Sequence, residues 1–112
     1  MFWNRPKSRI AEATPAETHQ RVSGGEGILV DVREPHEWRA GRAAGARHIP
    51  LSELERRAAE LPKERPIHLI CASGNRSKKA AEMLMKAGFA SPINVSGGTG
   101  AWMRAGLPVE RG

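Results

Sequence analysis

Three short apolar runs, ILVDV at 28–32, PIHLIC at 66–71 and PINV at 92–95, are each followed by helix signals, and this alternation constrains the fold most. Apolar runs of about 4–8 residues rich in branched side chains suit buried strands and are too short for ordinary helices. A helix is predicted over 15–22, where Thr14, Pro15 and Glu17 supply an N-cap, a first-turn proline and a capping-box acid. Another is predicted over Pro35–Ala40, and a brief extended piece, ARHIPLS, ends at Pro50. Ser52 and Glu55 form a second capping box, opening a helix on which Leu54, Ala58 and Leu61 recur before Pro62. From Arg76, the residues Ala80, Met83, Leu84 and Ala87 form an apolar stripe, with Gly88 as the stop. SGGTGAWMRAGLPV reads as a tight turn into a final short helix.

Strands separated by helices pair in parallel, because parallel neighbours need a crossover between them. The expectation is an α/β fold: a central parallel sheet of four to five strands flanked by helices on both faces. The 112 residues suffice for one core, assigned to 10–112, and 1–9 read as an N-terminal tail, a candidate for disorder. Phe2 and Trp3 beside Arg5, Lys7 and Arg9 fit a frayed terminus better than a membrane contact. No apolar run approaches the roughly 20 residues of a membrane-spanning helix. The first ten residues lack a secretory h-region, so a cytoplasmic location is expected.

The net charge of +6 favours an anionic partner. Nucleic acid is not expected, because the 18 Lys and Arg are scattered and only two Phe and three Trp are available for stacking. A small anion fits the charge as well as a merely solubilised surface does.

The single cysteine, Cys71, stands where the second apolar run meets the loop Ala72, Ser73, Gly74, Asn75. In open parallel sheets, ligands bind beyond the carboxyl ends of strands, and Cys71 is at such an end. The thiolate is the nucleophile, and a free thiol with a pKa of about 8.5 is mostly protonated at neutral pH. A helix starting near Arg76 would aim free N–H groups and a positive dipole end at the loop, with the Arg76 charge beside it. Small, turn-prone residues let the backbone curl into an anion nest around the sulfur. A buried structural cysteine explains the strand end, but not the glycine loop and the basic helix start together.

DVREPHEW at 31–38, GRAAGARHIP at 41–50, CASGNRS at 71–77 and GGTGAW at 97–102 appear in one order that resembles the rhodanese, or sulfurtransferase, superfamily. The resemblance implies a single-domain, rhodanese-like fold and a thiosulfate sulfurtransferase activity. The Cys71 thiolate would take the sulfane sulfur of a donor such as thiosulfate as a persulfide and pass it to a thiophilic acceptor. It makes Ala72, Ser73, Gly74, Asn75 and Arg76 the substrate-binding loop, with Asp31, Arg33 and Ser77 in support and Trp102, Gly97 and Gly98 in packing. Arg33 is expected either to face the site or to bind Glu34 or Glu37. The implied partners are a small anionic sulfur donor and an acceptor or donor protein, with no metal or cofactor. Relatives that use thiosulfate efficiently often carry cations inside the loop, where this chain has Ala72 and Ser73, so thiosulfate is expected to be a poor donor.

Two other readings stand beside this one. A sulfur-relay or regulatory module acting on a protein would keep the same motifs. A cysteine phosphatase or arsenate reductase would need a longer cradle: phosphatase loops have one residue more than the four between Cys71 and Arg76, and Ile70 stands where they carry histidine. His19, His36, His48 and His68 share no metal-ligand spacing, so no zinc site is expected. His68, Trp38 and Trp102 read as packed residues.

Overall fold

The computed structural model describes residues 10–112, so the expected tail over 1–9, with Phe2 and Trp3, lies outside the described residues. The elements are β1 (Ala11–Ala13), α1 (Pro15–Ser23), β2 (Ile28–Asp31), α2 (Pro35–Ala40), β3 (Arg42–Ala43), β4 (Arg47–His48) and α3 (Leu51–Arg57). They continue as β5 (Ile67–Ile70), α4 (Asn75–Lys86), β6 (Pro92–Val95), α5 (Gly98–Arg104) and β7 (Val109–Glu110). A parallel five-stranded sheet has the order β1-β6-β5-β2-β4, and β3 pairs with β7 in a small antiparallel ribbon. The α/β expectation holds, with β5, the strand that leads to Cys71, at the centre.

Side chains alternate across the sheet, so each buried strand feeds two cores. Ile28, Val30, Ile67 and Leu69 pack with Leu54, Leu84 and Phe89 on the side of α3 and α4. Leu29, Ile70 and Val95 pack with Trp102 of α5 on the other. Trp102 is fully buried, and its indole N–H donates to the Pro108 carbonyl at 2.8 Å, so the ring enters the core with its polar group satisfied.

The local signals fare unevenly. Thr14 and Glu17 close the expected capping box on α1. Gly88, at φ +94°, ends α4 in a Schellman motif: its N–H reaches the Met85 carbonyl and that of Phe89 reaches Leu84. The Ser52–Glu55 box does not form. Ile49 and Leu51 donate their amides to Asp31 and Val32, which ties the chain to β2 and starts α3 two residues earlier, with Pro50 as N-cap. That helix tightens into a 3-10 turn over Ala58–Glu60, so Leu61 is buried beyond it. The buried stripe of α4 is Ser77, Ala80, Ala81 and Leu84, while Ala87 is exposed.

His68 is packed in β5 as expected: it is fully buried, and neither ring nitrogen has a hydrogen-bond partner among the described residues. Burial, together with the nearby charge of Arg21, lowers its pKa below the usual histidine value. Folding therefore favours the neutral ring. Stability should be full above the unfolded value of about 6.5 and fall as pH drops below it, by at most about 1.4 kcal/mol per pH unit. His68→Leu should raise the melting temperature and flatten this acid limb; an unchanged slope between pH 4 and 6.5 in thermal melts would contradict the assignment.

Candidate active site

Cys71 follows the last residue of β5 and is 1% exposed, beneath a loop whose Ser73 and Asn75 are exposed. Gly74, at φ +111°, is the N-cap of α4, a left-handed conformation that glycine adopts cheaply. The turn aims the Gly74 N–H at Cys71 Sγ, 3.1 Å away. One turn into α4, Ser77 Oγ stands 3.3 Å from the same sulfur. Burial alone would push the thiol up; the Ser77 hydroxyl, then the amides of Ser77, Gly74 and Ser73, outweigh it and hold the pKa below the ordinary thiol value. The site can therefore stabilise a sulfur anion chiefly with hydrogen-bond donors.

Ser77 is itself held. Its one hydroxyl proton serves either of two acceptors, Asn94 Oδ1 at 2.6 Å or the sulfur when the thiolate forms, and Asn94 Nδ2 donates to the Gly74 carbonyl at 3.2 Å and to Glu12 Oε2 at 3.1 Å. Asn94 thus ties the helix side of the site to its loop, with its amide oriented by both ends. This residue was not among the expected site positions, although a polar residue inside the apolar run PINV is the signal that marks it.

The first turn of α5 fixes the loop from the other side. Thr99 donates its N–H and its hydroxyl to the Cys71 carbonyl at 2.8 and 3.0 Å, and the Gly100 N–H donates to the Ala72 carbonyl at 3.1 Å. Ala72 therefore offers its carbonyl to α5, while Ser73 and Gly74 turn amides to the sulfur. The packing expected of Gly98 is close contact: a Cβ there would stand 2.5 Å from the Cys71 oxygen.

Arg76 has a partner besides the sulfur. Its guanidinium grips Glu37 of α2 through two bonds, at 2.8 and 2.9 Å. That pair, with the Glu34 amide, lowers Glu37 to about 2 against the opposing effect of its partial burial. The loop's one full positive charge is thus matched by Glu37, and it also interacts with the Cys71 thiolate, as a smaller contribution than the hydrogen-bond donors. Asn75 is exposed and serves as the first residue of α4.

Asp31 and Arg33 pair with each other, correcting the expectation that Arg33 binds Glu34 or Glu37. Arg33 Nη2 meets Asp31 Oδ2 at 2.8 Å and the Gly41 carbonyl at 2.8 Å, and the pair is buried. The clamp joins the end of β2 to the end of α2, a supporting arrangement. Arg33 and Glu37 also line a groove of about 380 Å³ beside the loop, with Ala72, Gly100 and Met103. Trp38 is only half-buried, because α2 buries none of its residues; it stacks on His48 at 4.7 Å, with Arg42 on its ring at 4.4 Å.

The model of the rhodanese-like domain matches residues 14–105, which span every element from the first helix through α5. The chain belongs to the rhodanese-like domain family. A sulfurtransferase of Allochromatium vinosum is 38% identical over 91 residues, covering 80% of this chain and 85% of that protein. A putative sulfur carrier protein of Bacillus subtilis, YrkF, is 41% identical over 96 residues, 85% of this chain. The chain spans 52% of YrkF and 59% of another Bacillus subtilis relative, YqhL. Among solved structures, a rhodanese-related protein from Thermoplasma volcanium superposes with a TM-score of 0.81 at 33% identity, covering 89% of this chain and 97% of that one. As a rhodanese-like domain, the chain falls in a sulfur-transfer family. No helix among its described residues is long and apolar enough to cross a membrane.

Proposed function

We propose that the protein is a sulfurtransferase that carries sulfane sulfur on Cys71. The observation that carries this reading is the Cys71 sulfur held 3.1 Å from the Gly74 N–H and 3.3 Å from the Ser77 hydroxyl, with its pKa lowered. Its thiolate attacks the outer sulfur of a donor such as thiosulfate. The sulfur–sulfur bond of the donor breaks, its electron pair leaves with sulfite, and the enzyme holds Cys71–S–S⁻. A thiophilic acceptor then attacks the outer sulfur; with cyanide, thiocyanate leaves and the Cys71 thiolate returns. The amides of Ser73 and Gly74 stabilise the anion at each stage.

An acceptor thiol on a partner protein closes the cycle equally well, and the relative named a putative sulfur carrier supports that acceptor class. Phosphoryl or arsenate chemistry fits less well: the spacer from Cys71 is short, and Arg76 is engaged by Glu37. The test is steady-state transfer to cyanide from thiosulfate and from organic persulfides. A covalent intermediate predicts parallel double-reciprocal lines as acceptor concentration is varied. Intersecting lines, or no thiocyanate from any donor, would overturn the reading.

A further inference from the structure

The groove beside the loop is bordered by positive charge that no carboxylate among the described residues pairs with. Its carboxylate, Glu37, is held by Arg76, and its buried cation, Arg33, is held by Asp31. Two further guanidinium groups lie against the glycines that line it. A Cβ on Gly100 would be 3.4 Å from Arg104 Nη1, and one on Gly41 would be 3.8 Å from Arg111 Cζ. Both arginines are exposed, and neither forms an ion pair among the described residues.

Their placement follows from the fold. Arg104 is the last residue of α5, the helix whose first turn holds the loop carbonyls. Arg111 follows β7, and the next amide, Gly112 N–H, donates to the Arg39 carbonyl at 3.1 Å, which keeps Arg111 beside Gly41. Between these cations the groove surface is largely apolar, with Ala40, Ala72 and the exposed Met103. Negative charge is thus met at the rim, while sulfur is met at the loop.

We infer that Arg104 and Arg111 are specificity-determining residues for an organic sulfur donor whose carboxylates stand several bonds from its sulfane sulfur. This rests on the sulfurtransferase reading and names the substrate class. Thiosulfate carries its charge next to its sulfane sulfur, where the loop's one guanidinium is already bidentate with Glu37. An organic persulfide, R–S–SH, can place its sulfur at the loop and its carboxylates at the rim. Cys71–S⁻ attacks the terminal sulfur, the donor's S–S bond breaks, and Cys71–S–SH and R–S⁻ result.

The experiment compares the wild type with R104Q/R111Q, using glutathione persulfide, the uncharged 2-hydroxyethyl persulfide and thiosulfate. Two exposed carboxylate contacts predict a KM for glutathione persulfide raised about 5- to 10-fold, with kcat held within about 2-fold. KM for the uncharged persulfide and for thiosulfate should stay within about 2-fold, and R104K/R111K should restore most of the loss. An unchanged KM for glutathione persulfide, or an equal rise for the uncharged donor, would overturn the inference while leaving the sulfurtransferase reading intact. If no donor loads wild-type Cys71, both fall.

Discussion

Ser77→Ala is expected to slow alkylation of Cys71 by iodoacetamide about tenfold at neutral pH, through a raised thiol pKa. The hydroxyl is the largest of the favourable contacts to the sulfur, ahead of the three amides. Hydrogen bonds to a charged acceptor contribute about 1.5–3 kcal/mol, so losing one lowers the thiolate population at neutral pH by about tenfold or more. The sign is fixed: a lost donor destabilises the thiolate, the pKa rises, and the thiolate fraction at a given pH falls. The two proteins should react alike once the pH exceeds both thiol values. The change also strips Asn94 Oδ1 of its 2.6 Å partner in a buried setting, at a cost of about 1–3 kcal/mol in stability. Superimposable pH–rate profiles would show that the amides alone hold the anion.

Gly98→Ala is expected to produce the largest loss of stability, about 3 kcal/mol or more. Gly98 has φ +61°, and its Cβ would meet the Cys71 oxygen at 2.5 Å and the Ala72 carbonyl carbon at 2.6 Å. These are backbone atoms of the loop, pinned by Thr99 and Gly100, so they cannot swing aside as a side-chain tip would. Gly106→Ala is the matched control: its φ is +74°, but nothing lies within 4 Å of a Cβ there. Only the left-handed conformation is penalised, at about 1–2 kcal/mol. Denaturant melts of the two variants should differ accordingly, and equal midpoints would remove the claim that α5 fits against the loop by close backbone contact.

The layout of the fold was legible because its signals are local. Branched apolar runs bounded by glycine and proline mark β2, β5 and β6, and Thr14 with Glu17 marks α1. β1, β3 and β7 were not legible: Ala11–Ala13 is a three-residue strand at the sheet edge, and the ribbon strands have two residues each. Their pairing draws on partners distant in sequence, such as Asn94 for Glu12 and Glu110 for Arg42. The failed box at Ser52 has the same origin, since hydrogen bonds to β2 override a sound local signal.

The site divides in the same way. Cys71, its glycine turn and the start of α4 could be read from CASGNRS, because strand, loop and helix are contiguous there. What surrounds them comes from distant positions. Glu37 meets Arg76 across 39 residues and Asn94 meets Ser77 across 17, so spacing in the sequence carries no trace of either contact. The consequence is chemical: charge alone casts Arg76 as the activator of the thiolate, whereas the fold divides Arg76 between Glu37 and the sulfur and adds the Ser77 hydroxyl.

The central claim is that Cys71 holds and releases one sulfur atom. It is tested most directly by intact-mass spectrometry of the protein after a sulfane donor, and again after an acceptor thiol or cyanide is added. The account predicts an increase of about 32 Da located on Cys71, absent in Cys71→Ser, and reversed by the acceptor. A protein that stays at its original mass with thiosulfate and with organic persulfides alike, or an adduct that no acceptor removes, would contradict it.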